Sequence, residues 1–514
     1  MGEIMNKKII LISLTIFLLI IGFQYSIVLN EQKAPPSVDW SRSFTANASI
    51  GNYSKLYSVP TENGYTISLL DFEEMNILSC SEDILCSHIQ TITELDPYKN
   101  IWSDGDTTYY IKPDDTFVRF TSGEETEISR DVEDFAKSGD TLVYWLTNQQ
   151  VVIQQRDNEP VIHTPRYPVE EVMIENGHIF IVTLNLQENI YAVLDGTNSL
   201  TELFHFGLIP PESMSAMYIS TEREGEYRLL IDTVKNSGGS VVKKIRSASF
   251  ELSANQIPEL TELTFVDQDT GVALYDVRNP SFFRGESGIH ITFTANTNDP
   301  TGKKVNKVFT GNFDGLDIEA IAVTKNGDYY VRPLHINEQT IAYYKLSGNK
   351  KELMYSSTTD EKVAQSSKVQ KGDIKEAFLT FFSLLFNGLV LILLSFAWLI
   401  PALFIGYLTL ALLQKTWNPH AHTIAVFVNA VALVFTQIVM FIVLFNPERI
   451  LLRAPYLTEV WHVSTVSVIA GILCILPVLL TRTKVTEDNF NKYLLFTTGL
   501  NLLIMVILIG PYFV

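Results

Sequence analysis

Apolar residues form nearly continuous runs at both ends of the chain, whereas the middle alternates between short apolar stretches and polar turns. A helix of about 20 apolar residues is long enough to span a bilayer. The pattern therefore predicts a membrane protein with an N-terminal transmembrane anchor and a C-terminal α-helical bundle of four transmembrane helices. The anchor covers residues 9–29, and the bundle, residues 377–514, contains apolar runs at 377–413, 423–445, 461–481 and 493–514.

Two of these runs allow a second interpretation. Lys7 and Lys8 would also serve as the basic flank of a signal peptide, but no small-x-small cleavage pattern follows them. The run 377–413 would be about 55 Å long as one helix, against a hydrocarbon core of about 30 Å. It is expected either to kink at Pro401 or to begin as an interfacial helix that bends at Asn387 and Gly388.

Basic residues beside the runs predict the orientation in the membrane. Lys7 and Lys8 place residues 1–8 in the cytoplasm under the positive-inside rule. Five spans then place residues 31–374 and the C-terminus outside the cytoplasm. The Ile- and Asn-rich composition, with Lys commoner than Arg, is typical of a multi-pass protein of a bacterial plasma membrane.

The middle of the chain repeats a glycine, a strand-like run, a polar turn and a second strand-like run. Seven glycines begin these hairpins, namely Gly64, Gly105, Gly139, Gly177, Gly225, Gly288 and Gly327. Their spacing averages about 44 residues, and a four-stranded propeller blade takes about 40 to 50. Residues 31–355 are therefore predicted to be an all-β extracytoplasmic domain, a β-propeller of about seven blades. Residues 356–376 are predicted to be a polar linker.

Two packed β-sandwiches would contain the same hairpins. The 63-residue interval between Gly225 and Gly288 would then be the boundary between them. No WD dipeptide or kelch pattern decides between a propeller and two sandwiches.

Charge and cysteine content refine this picture. Residues 31–374 contain 29 Lys and Arg against 51 Asp and Glu, a formal charge of −22, so nucleic acid is not an expected partner. Cys474 falls inside a predicted span. Cys80 and Cys86 lie in the outer domain, where oxidation is permitted, and are predicted to form a disulfide that closes a short loop, with two unpaired thiols as the alternative.

No catalytic, cofactor or metal motif is evident in the chain. The sequence lacks H-E-x-x-H and G-x-S-x-G, so no catalytic residue and no cofactor is predicted. Several Asp pairs and one His pair have ligand-type side chains, but tight turns and membrane edges need the same residues. They are Asp104 with Asp106, Asp267 with Asp269, Asp314 with Asp317, and His420 with His422.

The four C-terminal runs contain no Lys, Arg, Asp or Glu, whereas ion-coupled transport usually needs such a residue at mid-membrane. Their polar residues, including Asn387, Asn429, Gln437 and Asn501, are expected to bond helices together. The favoured function is a cell-surface binding or sensing protein. Its outer domain would bind a protein, peptide or glycan, and its helices would dock on an integral membrane partner. An accessory subunit of a transport or assembly complex is one alternative, and an extracytoplasmic enzyme with an unrecognised site is the other.

Overall fold

The computed structural model describes the chain from residue 7 to residue 512, with internal gaps. The described ranges are 7–50, 55–61, 64–72, 74–81, 86–156, 158–184, 189–194, 200–206, 212–223, 225–237, 240–252, 259–285, 288–298, 304–313, 315–325, 328–348, 350–416, 418–443, 454, 456–457 and 459–512. The chain divides into two compact units. One comprises Pro35–Asp299 and Lys304–Ser367, and the other includes Met1–Ala34 and Lys368–Val514.

The first unit is built from β-sheets. Its described residues form six sheets of four strands and one sheet of five strands. Blade 1 contains β2 (Lys55–Thr61), β3 (Gly64–Leu70), β4 (Glu74–Cys80) and β5 (Cys86–Thr93). Blade 2 contains β6 (Trp102–Ser103), β7 (Thr107–Ile111), β8 (Phe117–Thr121) and β9 (Glu124–Ser129). Blade 3 contains β10 (Val132–Ser138), β11 (Thr141–Leu146), β12 (Val151–Gln155) and β13 (Val161–His163).

The remaining sheets follow in chain order. Blade 4 contains β14 (Val169–Glu175), β15 (His178–Leu184), β16 (Asn189–Leu194) and β17 (Leu200–Phe206). Blade 5 contains β18 (Glu212–Arg223), β19 (Glu226–Ser237), β20 (Ser240–Glu251) and β21 (Thr261–Glu262). The five-stranded sheet contains β22 (Thr264–Asp267), β23 (Tyr275–Gly285), β24 (Gly288–Asn298), β25 (Lys304–Asn312) and β26 (Asp317–Ala322). The closing blade contains β27 (Tyr330–Asn337), β28 (Thr340–Ser347), β29 (Lys350–Ser357) and β1 (Phe44–Ile50).

The closing blade joins the two ends of the propeller chain. β1 pairs antiparallel with β29, with Phe44 opposite Tyr355. Just before β1, the backbone N–H of Ser41 donates to the carbonyl of Ser357 at 2.9 Å. The Ser357 N–H donates in return to the Ser41 hydroxyl at 2.9 Å. This pairing closes the ring of sheets, which leaves no open first or last blade.

Apolar clusters hold each sheet against the next. Between blades 2 and 3, for example, the rings of Phe117 and Phe135 lie 4.7 Å apart. A cluster containing Ile67 of blade 1 and Tyr344 of the closing blade joins the first sheet to the last. Two separate sandwiches would not share this core, so the β-propeller prediction is confirmed, with six four-stranded blades where about seven were predicted.

In blades 1 to 5 the glycine of the repeat lies at or just before the start of the second strand, and in the five-stranded sheet Gly288 begins β24. The six described glycines of the repeat all have positive φ, between 51° and 144°, a conformation that glycine adopts without steric cost. Gly327 lies outside the described residues. The repeat departs from equal blades at the five-stranded sheet, where β22 pairs parallel with β26. This extra strand, together with the 12-residue strands β19 and β20, accounts for the long interval between Gly225 and Gly288.

The hairpin of β4 and β5 carries the disulfide of the propeller unit. Cys80 and Cys86 are directly opposite in the register of the two strands, and their sulfur atoms are bonded. We expect a Cys80→Ala, Cys86→Ala double variant to lose about 2 kcal/mol of stability, because the bond limits the conformations of the unfolded chain. Thermal unfolding of both proteins measures this loss. Equal stability, or free thiols at these positions in non-reducing mass spectrometry, would contradict the expectation.

The second unit is helical. Its helices are α1 (Lys7–Lys33), α3 (Lys371–Lys415), α4 (Ala421–Val443), α5 (Val460–Leu480) and α6 (Phe490–Leu508), and five helices of the described chain are long and apolar enough to cross a membrane. The helix α2 (Asp360–Ser366) lies within the predicted linker 356–376 and belongs to the propeller unit. The last predicted run, 493–514, is helical only to Leu508, and a 3₁₀ turn at Gly510–Tyr512 follows. Residues 513–514 lie outside the described residues.

α1 packs with the C-terminal helices, since Ile9, Ile16 and Ile20 belong to the bundle core. The Gln24 side-chain amide also donates to the Tyr512 hydroxyl at 2.6 Å. The run 377–413 lies within one continuous 45-residue helix that passes through Pro401, so no separate interfacial helix precedes it.

Buried polar residues bond α4 to α6. The Asn429 amide donates to the Thr498 hydroxyl at 3.1 Å, and the Gln437 amide donates to the Asn501 carbonyl oxygen at 2.5 Å. Asn429, Gln437 and Asn501 are fully buried. These contacts agree with the expected role in helix packing.

Candidate functional site: the central cavity

The propeller contains a central cavity of about 860 Å³, lined by strands from five of its seven sheets. The strands β2, β14, β18, β23 and β27 line it, and Asn100, which precedes β6, contributes to the wall. Its volume lies in the usual range for ligand sites, about 300 to 1,000 Å³. We call this space the central cavity.

Most of the first strands are irregular where they approach the cavity. Their pairing with the second strands shifts register in β10, β14, β18, β23 and β27. Asn279 of β23 and Arg332 of β27 have positive φ, 49° and 54°. A β-bulge adds a residue on one strand and redirects the neighbouring side chains. The bulges therefore explain how charged side chains come to face the centre of an otherwise apolar fold.

In the neighbouring blades 3 and 4, a carboxylate residue stands where strand pairing resumes after the bulge. In blade 3 the register shifts after Val132 and pairing resumes at Asp134. In blade 4 it shifts after Val169 and resumes at Glu171. Glu171 lines the cavity, and Asp134 accepts the backbone N–H of the cavity residue Asn100 at 2.8 Å.

A third carboxylate reaches the cavity from a second strand. Asp232 of β19 lies opposite Ala216 of β18, whose small side chain leaves the carboxylate at the cavity wall. Asp232 is 4% exposed, and its Oδ1 atom has no hydrogen-bond partner. Lys243 Nζ lies 4.0 Å from Oδ2, at the outer limit of an ion pair. The charge of Asp232 is therefore only partly compensated.

Burial raises the pKa of all three carboxyl groups. Desolvation raises the pKa of Asp134 to about 6, against the lowering effect of two backbone hydrogen bonds. Desolvation, followed by repulsion from Asp134 and Glu170, raises the pKa of Glu171 to about 7. Desolvation raises the pKa of Asp232, and the charge of Lys243 opposes it. The acidic side of the cavity, as we call it, consists of the lining carboxylates Glu171 and Asp232, and Asp134 is bonded to the wall residue Asn100.

Basic side chains line the cavity as well. They are Lys55 of β2, Lys243 of β20, Arg284 of β23 and Arg332 of β27. The Lys55 ammonium donates to the carbonyl groups of Tyr98 and Lys99, at 3.1 and 3.3 Å, and burial lowers its pKa. Charges of both signs therefore line the cavity, and blade 5 contributes both Asp232 and Lys243.

The candidate residues from the sequence lie elsewhere and have local roles. The Asp104 carboxylate accepts the backbone N–H groups of Asp106 and Thr107 at 3.1 and 2.8 Å, as a turn requires. The Asp267 carboxylate accepts the Asp269 N–H at 3.1 Å. Asp317 accepts the hydroxyl of Thr264, and Asp314 lies outside the described residues.

The histidine pair also forms local contacts. The His420 backbone N–H donates to the Asn418 side chain at 2.9 Å, and His422 Nε2 lies 3.4 Å from the Gln414 amide nitrogen. Within the described ranges, no group of three or more His, Cys, Asp or Glu is arranged to hold a metal ion.

Sequence reasoning missed the cavity residues, although a signal for two of them is present. Residues 132–135 read Val-Glu-Asp-Phe and residues 169–172 read Val-Glu-Glu-Val, 37 residues apart. The shared pattern places the acidic pair at each bulge. Asp232 has no comparable signal, because its position depends on the small residue across the strand pair.

Comparisons with known proteins add the following. No protein-family model and no curated protein matches the chain. Among solved structures it is similar to the N-terminal domain of Nup159, at 9% identity and TM-score 0.37, over 62% of this chain and 96% of that one. It is similar to YCF48 bound to D1 peptide, at 10% identity and TM-score 0.38, over 64% and 98%. It is also similar to the WD40 β-propeller domain of Doa1, at 11% identity and TM-score 0.35, over 63% and 99%. Similarities this distant carry no information about the function of this chain.

Proposed function

We propose that the protein is a multi-pass plasma-membrane protein that binds a ligand in the central cavity of an extracytoplasmic propeller. The observation that carries this proposal is the cavity itself, whose wall combines partly buried charges of both signs. Such a wall suits a ligand with charged groups in fixed positions, which favours a protein segment or peptide over a neutral glycan. We count the five-stranded sheet as a seventh blade, because its edge strand β23 lines the cavity as β14 and β18 do.

The helices support the second part of the proposal, docking on an integral membrane partner. Their outward faces carry large apolar side chains, such as Leu393 at 74% and Phe435 at 67% exposure. A single span would suffice to anchor a binding domain, whereas five helices share one core. Their extra lateral surface is available to a partner protein. Binding in the propeller would then be coupled to that partner through the bundle.

Photo-crosslinking from the bundle tests the docking. A photoreactive residue replaces one exposed apolar side chain on each of four helices, at Leu19, Leu393, Phe435 and Leu495. We expect one position to form a crosslink to a specific membrane protein in cells, while the others crosslink to lipid. A matched control replaces the fully buried Leu433, which should crosslink only within the chain.

Deleting residues 423–514 is a less selective test, because it opens the core that α1 shares with α4, α5 and α6. If no exposed position captures a protein, and proteoliposomes that contain only this chain move a solute, the docking proposal fails and a transporter is favoured. Capture of a transport or assembly complex would identify the chain as its accessory subunit.

A further inference from the structure

Resting on the proposed ligand binding in the central cavity, we infer that the acidic side of the cavity holds a cationic group of the ligand. The group is an ammonium or guanidinium, as in a Lys or Arg side chain, and it contacts Asp232 and Glu171. This inference names the chemistry of one end of the ligand.

The first support is the incomplete pairing of Asp232. Two other carboxylates of blade 5 have close basic partners, since Glu212 pairs with Arg246 at 2.9 Å and Glu222 pairs with Arg228 at 2.5 Å. Asp232 has only Lys243 at 4.0 Å, and one of its oxygens has no hydrogen-bond partner. A buried carboxylate oxygen without a partner is destabilising unless a ligand supplies a donor.

The second support is the access that the fold gives to this oxygen. Ala216 stands directly opposite Asp232 in the strand register, and Ser215 occupies the bulge beside it. All three residues line the cavity. A larger residue at position 216 would separate the carboxylate from the open volume.

The third support is a second carboxylate, Glu171, whose charge affects the same residue of the cavity wall as the charge of Asp232 does. Burial and the charges of Asp232 and Glu171 raise the pKa of Tyr218 to about 12, and the charge of Arg332 opposes them. The backbone of Met217 forms a hydrogen bond with Glu171. Two carboxylates from different blades, Glu171 and Asp232, line the cavity together with Tyr218. A cation between them would offset both charges and add charge-assisted hydrogen bonds.

The basic residues of the cavity leave one oxygen of Asp232 without a partner. Lys243, which also lines the cavity, has its Nζ 4.0 Å from Oδ2, and the Oδ1 atom has no hydrogen-bond partner. Lys55 already donates to two backbone carbonyl groups. Arg284 and Arg332 also line the cavity and are available to an anionic or carbonyl group of the same ligand.

Calorimetric titration of the full chain in detergent tests the inference. The probes are the pentapeptide acetyl-Gly-Gly-Lys-Gly-Gly-amide and its norleucine counterpart, which keeps the aliphatic chain and lacks the charge. We expect the lysine peptide to bind with a Kd on the order of 1 mM or below, and at least about tenfold more tightly than the norleucine peptide. Asp232→Asn should lower its affinity about tenfold.

Two further variants separate recognition from folding and from surface attraction. Ala216→Leu keeps every charge but covers Asp232, so it should weaken the lysine peptide as Asp232→Asn does. Glu124→Gln is the control for surface charge. It removes one negative charge, as Glu171→Gln would, but from the exposed strand β9. The affinity for the lysine peptide should therefore stay unchanged.

Equal binding of the two peptides would overturn the cationic-group inference while leaving ligand binding in the cavity intact. An equal loss of affinity in Glu124→Gln would also overturn it, because the attraction would then come from the surface. If neither peptide binds in this concentration range, the cationic-group inference is overturned. The proposed docking of the helices is tested separately by the photo-crosslinking experiment.

Discussion

Glu171→Gln is expected to stabilise the protein at pH 8 by between about 2 and 3 kcal/mol and to have little effect at pH 5. The pKa of Glu171 is raised from 4.5 to about 7 in the folded protein. The folded state therefore holds this proton more tightly than the unfolded state. Stability falls as the pH rises from about 4.5 to 7, and the full penalty remains above that range. Glutamine removes the penalty because it resembles the protonated carboxyl group.

Thermal unfolding of the full chain at pH 5 and pH 8, followed by tryptophan fluorescence, measures this effect. Trp145 is buried in the apolar cluster that joins blades 3 and 4, next to the strand of Glu171. The exposed Glu124 provides the control, since Glu124→Gln should leave the unfolding temperature unchanged at both pH 5 and pH 8. An equal gain at both pH values, or a loss at pH 8, would show that Glu171 is a structural group with its charge already compensated.

Gly388→Ala is expected to destabilise the helical bundle by about 3 kcal/mol. A Cβ atom at this position would lie 2.7 Å from the backbone carbonyl oxygen of Val506 and 3.5 Å from the backbone of Gly510. Backbone atoms cannot rotate away as a flexible side chain can. The helices α3 and α6 would have to separate, and the packing around them would be lost.

Gly499→Ala on α6 is the matched control. No atom lies within 4 Å of the Cβ position there, so the variant should be neutral or gain up to about 1 kcal/mol from helix propensity. The fraction of protein that stays monodisperse in detergent after heating compares the two variants. Equal heat resistance would mean that α3 and the C-terminal turn do not approach each other as closely as the structure shows.

The second and third strands of the blades were the predictable part of the propeller. They alternate regularly and follow a turn glycine, as β11 follows Gly139, so both the period and the turn chemistry are visible in the sequence. The first strands lack this regularity because bulges interrupt them and their polar side chains face the cavity. Several cavity residues, such as Glu171, lie on those first strands, and Asp232 lies on the second strand β19, so none of them coincides with the predicted turn carboxylates, such as Asp104.

Long-range pairing accounts for the other differences. β1 belongs to the closing blade through pairing with β29, about 300 residues away, and no local pattern carries that information. The same holds for α1, whose apolar sequence is equally suited to facing lipid or packing on other helices. Its contacts with the C-terminal helices depend on particular side chains, such as Gln24 meeting Tyr512.

The orientation of the chain in the membrane is the central claim, and labelling single cysteines tests it most directly. In a Cys474→Ala background, a cysteine replaces Ser122 in an exposed turn of blade 2, or the exposed Thr486 before α6. An impermeant maleimide is then applied to sealed right-side-out vesicles. The account predicts labelling at position 122 and none at 486 until the vesicles are opened. Labelling at 486 but not at 122 in sealed vesicles would place the propeller in the cytoplasm and contradict the account.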